Sequence, residues 1–257
     1  MYKLELKNVS YLYSKNTPFE KLALSDINIG FEEGKITGLI GHTGSGKSTL
    51  VNLLNGLYRP TEGQVLIDGK DIWENPKQIA KIRTQVGLVM QYPEYQLFDE
   101  TVRADIGFAP RNLGLSAEEV DRRVAIAGVM AMGAGVLVLD EPAAGLDPRG
   151  RREILDGVRA YAKKNGLTVI LVSHSMEDMA LYCDNVIVMN RGRVYASGTV
   201  DAVFSDAEGL MDIGLNVPMV ARIAAALRKK GIPLEGKLYT VEGVKDAILR
   251  LGKEGRV

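Results

Sequence analysis

The strongest chemical signal in the chain is the stretch Gly41-His42-Thr43-Gly44-Ser45-Gly46-Lys47-Ser48-Thr49. It fits G-x-x-x-x-G-K-[ST], and its flanks fit too: the apolar run Ile36–Ile40 reads as a buried strand, and the residues from Lys47 read as a helix. Glycines let backbone N–H groups converge on one point, and the helix N-terminus adds positive potential there. Lys47 supplies a point charge for the β- and γ-phosphates of a nucleotide, and the Ser48 hydroxyl is a ligand for Mg²⁺. His42 occupies a variable position and reads as a solvated loop residue. A second signal is Val136-Leu137-Val138-Leu139-Asp140-Glu141, a buried strand that delivers two carboxylates at its C-terminal end. That is the edge where open α/β sheets bind ligands. Asp140 would hold Mg²⁺ through its water, and Glu141 would take the proton from, or orient, an attacking water. An apolar run ending in Asp-Glu is weak evidence alone; beside a phosphate loop it becomes strong.

These residues need a parallel sheet beneath them, and the hydrophobic pattern supplies one. Val86–Met90, Val136–Leu139, Val169–Val172 and Val186–Met189 are short apolar runs, several of them separated by helical stretches. That alternation predicts a mostly parallel sheet covered by helices. Residues 1–75 are rich in strand signals, with Ile27, Ile29 and Phe31 alternating cleanly, and read as an antiparallel subdomain. The helix from Lys47 is expected to carry Leu50, Leu53, Leu54 and Leu57 on one face and to stop at Pro60. After Gly198 the pattern turns to helices. Pro218 suits the first turn of a helix through Met219–Lys230, and Thr240 suits the cap of another through Leu251. The division expected is a nucleotide-binding domain over 1–200 and an accessory helical region over 201–257.

Composition narrows the function classes. The 32 acidic and 32 basic residues cancel, so there is no overall field for nucleic acid or anionic lipid, and an anion must be captured locally. Cys183 is the single cysteine, which excludes an internal disulfide and fits a reducing compartment. With two histidines and one cysteine no zinc site is credible. No apolar run approaches the roughly 20 residues of a membrane span, and the N-terminus carries charge from the start. Membrane contact would therefore come only through partners. The methionines Met130, Met132, Met176 and Met179 read as core filling. Arg149, Arg151 and Arg152 read as a solvated face first and a subunit contact second.

Gln91 directly follows a strand, Asp147 sits in EPAAGLDP, and His174 follows LTVILVS. In that order, with the two motifs above, they resemble the Q-loop, D-loop and switch histidine of ABC ATPases. The resemblance implies a P-loop NTPase α/β fold of ABC type, with an antiparallel β-subdomain, a helical subdomain and a C-terminal helical tail. It implies that Gln91 touches Mg²⁺ and the attacking water, that His174 contacts the γ-phosphate, and that Asp147 helps build a dimer interface. The aromatic that stacks on adenine would be Tyr13 or its neighbour Tyr11. NTPFEKLALSDINIGF, GHTGSGKSTLVNLLNGL and QYPEYQLFDETVRADIGFAPRNLGL are similar to the second ATPase subunit of energy-coupling factor (ECF) transporters, which take up vitamins and metal ions. The expected cofactors are ATP and Mg²⁺. The expected partners are a second ECF ATPase subunit or a second copy of the chain, a transmembrane coupling subunit and a substrate-binding membrane subunit, but no nucleic acid. The expected location is the cytoplasmic side of the cell membrane. The rival readings are a soluble ABC ATPase, a nucleotide-binding subunit that no longer hydrolyses ATP, and a P-loop kinase, which would leave Gln91, Asp147 and His174 unexplained.

The chain departs from that family at one place. It has no LSGGQ signature, and Gln91 and Asp140 stand 49 positions apart, where the family has roughly thirty more residues, enough for about two further helices. Leu115-Ser116-Ala117-Glu118-Glu119 lacks both glycines and reads as a capping box opening a helix to about Met132. The helical subdomain is thus shortened near 115–132, and DRRVAIAGVMAM reads as a join. In the family, two ATPases pair head to tail and the signature of one completes the phosphate site of the other. A homodimer of this chain is therefore expected to hydrolyse ATP poorly, whereas a partner with an intact signature could complete its site.

Overall fold

The computed structural model describes residues 1–90 and 133–253. Gln91, the Ser116–Glu119 capping box and the helix expected after it lie outside the described residues. Among the described residues, ten strands form two sheets. The first is antiparallel, in the order β2 (Lys21–Glu32), β1 (Tyr2–Tyr13), β4 (Glu62–Ile67), β5 (Lys70–Asp71). The second runs β10 (Arg193–Thr199), β9 (Asn185–Asn190), β3 (Ile36–Gly41), β8 (Thr168–Val172), β7 (Val136–Asp140), β6 (Val86–Val89). Every pairing in it is parallel except β10 on β9. The early β-rich segment thus divides: β3 leaves its sequence neighbours and enters the centre of the parallel sheet.

Period-two alternation explains why this sheet reads as continuous apolar runs. Val136 and Val138 of β7, Ile170 and Val172 of β8 and Leu39 of β3 face one core. Leu137 and Leu139, Val169 and Leu171, and Ile36 and Ile40 face the other. Both faces are covered, so both sets must be apolar. The first core lies between the two sheets and takes in Leu4, Leu6, Ile27 and Phe31 with Leu50, Leu53 and Leu54 of α1 (Lys47–Leu54). The second lies under α3 (Pro148–Asn165) and α4 (Met176–Tyr182); α2 (Ile79–Gln85) precedes β6. Met176 and Met179 are buried there, filling core as expected.

The helix α1 stops earlier than the sequence implied. It ends at Leu54, so Leu57 lies past it and is partly exposed, and Pro60 plays no part in the stop. Asn55 and Gly56 end the helix instead: Gly56 adopts φ +71° and its N–H returns to the Leu53 carbonyl at 3.1 Å. At the other end of the chain, α5 (Val200–Ser205) and α6 (Ala207–Asp212) bury Val203, Phe204 and Leu210 in the second core. The helices α7 (Met219–Lys229) and α8 (Val241–Lys253) share a small third core of Ala224, Leu234, Leu238, Val244, Ala247 and Leu251. Pro218 is the N-cap residue of α7, and Thr240 Oγ1 accepts the Gly243 N–H at 3.1 Å in the first turn of α8.

Candidate functional site: a phosphate loop facing two carboxylates

The β3 strand is buried along its whole length and opens at Gly41 into the glycine loop. The loop closes at Gly46, the N-cap of α1, which has φ +106° and no side-chain cap. A Cβ there would stand 2.7 Å from Leu24 Cδ2, so glycine is required by both conformation and space. The uncapped first turn leaves its N–H groups free for an anion. Gly44 has nothing within 4 Å of where a Cβ would stand, so the middle of the loop is open to a ligand.

Lys47 is buried, and its ammonium donates to the carbonyl oxygens of Gly41 at 2.6 Å and His42 at 3.1 Å. Burial pulls its pKa below the usual lysine value, against the upward pull of Glu141 and Asp140. A buried ammonium held on neutral carbonyls gains when a polyphosphate arrives, because the anion supplies the close negative charge that the carbonyls lack. The two carboxylates respond in the opposite sense. Burial raises the pKa of Asp140, opposed by Lys47 and His174. Burial also raises that of Glu141, with His174 the largest opposing influence.

The parallel β7–β8 ladder continues one bond past Asp140, with Glu141 N–H donating to the Val172 carbonyl at 2.9 Å. Glu141 then adopts φ +52°, a left-handed backbone that is costly for a residue with a side chain. Its Oε1 is buried and, among the described residues, has no hydrogen-bond partner. His174 Nε2 approaches it to 3.5 Å from the end of β8. His174 itself is mostly exposed, so its ring is free to meet a ligand in the same pocket.

A pocket of about 680 Å³ brings these groups together: Tyr13, Lys47, Ser48, Asp140, Glu141 and His174 all line it. Thr43, Gly44, Gly46 and Thr49 complete the loop side. The donor set fits a hard divalent cation such as Mg²⁺, with the exposed Ser48 hydroxyl and the Asp140 carboxylate beside a buried carboxylate oxygen that has no partner. Gly41 and Ser45 are buried beneath the loop.

Tyr13 lines the pocket, whereas Tyr11 is stacked on Tyr58 with ring centroids 5.2 Å apart and packs against the core. Tyr13 meets Tyr11 edge-on at 5.0 Å, and its hydroxyl lies 2.9 Å from Thr49 Oγ1. Asp147 does not line the pocket; it is exposed and caps α3, accepting the Gly150 N–H at 2.7 Å.

Two expectations need correction. His42 is half-buried, with its ring nitrogens 3.0 Å from Asn190 Oδ1 and 2.8 Å from the Thr43 carbonyl, because β9 runs beside β3 and delivers Asn190 to the loop. Arg151 is not part of a solvated face; it is paired with Asp178 of α4. Sequence reasoning also missed one wall of the pocket, formed by Lys21, Leu22 and Ala23 of β2 and by Arg191 and Gly192 of the β9–β10 turn. Arg191-Gly192 between two strands signals a turn, but nothing local signals that the turn lands on the phosphate loop. It does so through Gly192, whose N–H donates to the Ser45 carbonyl at 3.0 Å.

A phosphate loop on the central strand, two carboxylates on the next strand but one and a histidine on the strand between them make an ATP-binding cassette of ABC type. Residues 24–144 match the family described as "ABC transporter". Residues 121–179 match one described as "AAA domain, putative AbiEii toxin, Type IV TA system". The chain is 46% identical to the energy-coupling factor transporter ATP-binding protein EcfA2 of Caldanaerobacter subterraneus subsp. tengcongensis, over 96% of each chain. It is 45% identical to EcfA2 of Clostridium perfringens, over 96% of this chain and 98% of that one. Among solved structures, cbiO1 from Clostridium perfringens, part of the ABC transporter complex cbiONQ, superposes with a TM-score of 0.73 at 35% identity, over 87% of this chain and 99% of that one. The chain belongs to the ATP-binding proteins of energy-coupling factor transporters. The first alignment runs over 276 positions against the 257 residues of this chain, so at least 19 of them have no residue here. That excess has the sign expected from the short spacing between Gln91 and Asp140.

Proposed function

We propose that the chain binds ATP with Mg²⁺ in the pocket between the Gly41–Thr49 loop and Asp140–Glu141, and hydrolyses it as one half of a paired ATPase beneath a membrane transporter. The observation that carries this reading is the convergence of Lys47, Ser48, Asp140, Glu141 and His174 on one pocket at the C-terminal ends of three adjacent parallel strands. Mg²⁺ bound there supplies charge neutralisation for the phosphates. The Lys47 ammonium and the free N–H groups of α1 hold the β- and γ-phosphates. Tyr13, on the pocket wall, offers a ring to the base. The Glu141 carboxylate accepts a proton from, or orients, the attacking water, and its raised pKa makes it a better acceptor near neutrality than a solvated glutamate. His174, beside it, contacts the γ-phosphate. Gln91, the family's Q-loop residue by sequence position, would touch the metal and the water.

ATPases of this fold complete the phosphate site with a signature segment from a partner, and this chain has no LSGGQ. Groups supplied in trans at comparable sites are worth about 10³–10⁵ in rate. The chain therefore works in a heterodimer in which the partner brings the signature, with Asp147 and the exposed Leu146 at the interface. A transmembrane coupling subunit and a substrate-binding subunit hold the pair on the cytoplasmic side of the membrane. No helix among the described residues is long and apolar enough to cross a membrane.

The test is steady-state ATPase activity of the chain alone and mixed with a related ATPase subunit that carries LSGGQ but has its own catalytic glutamate removed. Turnover only in the mixture, abolished by Glu141→Gln in this chain, supports the reading. ATP binding without turnover in either case would show a nucleotide-binding subunit that has lost hydrolysis.

A further inference from the structure

The turn holding Asp147 and the turn holding His174 lie on different strands, and each runs directly into a helix. Asp147 caps α3, and Ser175, next to His174, caps α4 by accepting the Asp178 N–H at 3.2 Å. Within their first turns the two helices are tied together. Arg151 Nε and Nη2 both donate to Asp178 Oδ2, at 2.8 and 2.5 Å. The pair is shielded: the Arg151 side chain is 35% exposed and that of Asp178 is 14% exposed. Charge-assisted bonds are shorter and stronger than neutral ones, and partial burial spares them much of the screening that weakens surface pairs.

The positions of the two residues matter more than the strength of the bond. The Arg151 N–H donates to the Asp147 carbonyl at 3.0 Å, so Arg151 is one helical turn from the cap. Asp178 is likewise one turn from Ser175 and four residues from His174. Below the pair lies a cavity of about 120 Å³, lined by Glu141, Pro142, Leu146, Ser173, Arg151 and Asp178. The turn 142–146 that leads from Glu141 to Asp147 lines this cavity, and its backbone bonds among the described residues are local: Ala144 N–H to the Glu141 carbonyl at 3.0 Å and Leu146 N–H to the Ala143 carbonyl at 3.4 Å. The ion pair is thus a direct link from the α4 side of the pocket to the far end of this turn.

We propose that Arg151 and Asp178 are positioning residues that lock the Asp147 turn to the His174 turn, so that the subunit-facing edge of the site and the histidine that meets the γ-phosphate move as one body. Neither touches nucleotide; they act through Asp147 and His174. The proposal rests on the reading of the pocket as an ATPase site. It predicts an effect on the catalytic step greater than on binding, because the nucleotide is held by the Gly41–Thr49 loop on another strand.

The experiment has two arms. In the mixed ATPase assay, Asp178→Asn and Arg151→Met each lower turnover at saturating ATP by about fivefold or more while KM stays within about twofold. The charge swap Arg151→Asp with Asp178→Arg recovers at least about half of the loss, which a purely steric role would not allow. In the nucleotide-free chain, Asp178→Asn speeds hydrogen exchange of the Gly150 and Arg151 amides by about threefold or more, with β3 and α7 unchanged. Unchanged exchange at Gly150 and Arg151 overturns the proposal, as does a change spread evenly over the chain. Equal losses in KM and turnover with no recovery in the swap overturn it as well. A wild-type chain that shows no turnover with any partner counts against the ATPase reading alone, and the exchange arm still decides the pair.

Discussion

Oε1 of Glu141 and Nε2 of His174 stand 3.5 Å apart, across the boundary between β7 and β8. The two strands are in parallel register, Asp140 opposite Val172, so the residues just past their ends meet over the same point. Burial pushes the Glu141 carboxyl up, and His174 is the strongest influence pulling it back. Because only the carboxylate form accepts a proton, turnover is lost as pH falls through this pKa. The acid limb of the pH–rate profile should therefore lie above the ~4.3 of a free glutamate. His174→Ala removes the opposing influence, so the limb of the residual activity should move to higher pH. A limb that stays in place would show that the pair does not interact in solution.

Replacing Glu141 by Gln keeps shape and removes the base. Turnover in the mixed assay should fall by about 10²–10⁴, with ATP affinity measured by fluorescent nucleotide displacement changed little. The same substitution should stabilise the nucleotide-free chain at pH 7. A carboxyl with a raised native pKa binds more protons when folded, so its contribution to stability falls as pH rises through the native value, and at neutral pH the ionised group is a cost. A calorimetric Tm higher by roughly 2–4 °C corresponds to about 1 kcal/mol in a protein of this size. No gain in Tm would mean that solvent reaches the carboxylate.

The tyrosines separate by role. Tyr13→Ala should weaken ATP binding by about 2–12-fold, the equivalent of 0.5–1.5 kcal/mol of ring contact, and should lower thermal stability less than it lowers binding, through the lost edge contact with Tyr11 and the lost bond to Thr49. Tyr11→Ala should do the reverse, because Tyr11 packs on Tyr58 and the first core. Isothermal titration and thermal melts of the two variants decide the assignment; an exchange of the two phenotypes would move the base to Tyr11.

Gly192 joins the β9–β10 turn to the phosphate loop. It adopts φ +75°, and a Cβ there would stand 2.6 Å from the Ala23 carbonyl oxygen. Its N–H and C=O bond Ser45 and Ser25, so no shift relieves the clash without loosening the loop. Gly192→Val should cost about 1–3 kcal/mol in denaturant unfolding and weaken ATP binding with it. Arg193→Ala, one residue on and exposed, should do neither.

The sequence by itself picked out most of the residues that meet in the pocket. A phosphate loop needs particular residue types at fixed spacing within one turn, so Gly41 to Thr49 were legible without any partner in space. The buried strands were legible because both faces of a parallel sheet must be apolar. The start of α7 beside Pro218 and the cap at Thr240 were legible because helix starts are set by neighbouring residues, although Pro218 sits one position ahead of the first turn expected for it. The tertiary structure decided what depends on elements far apart in the chain. It placed β3 in the centre of the other sheet, away from the strands around it in sequence. It set Tyr13 in the pocket and Tyr11 against the core, two residues apart but on different contacts. It brought Asn190 to His42, Gly192 to the phosphate loop and Asp178 to Arg151. Each of those contacts depends on strand order and helix packing, and strand order is a property of the whole sheet that no local run of residues encodes.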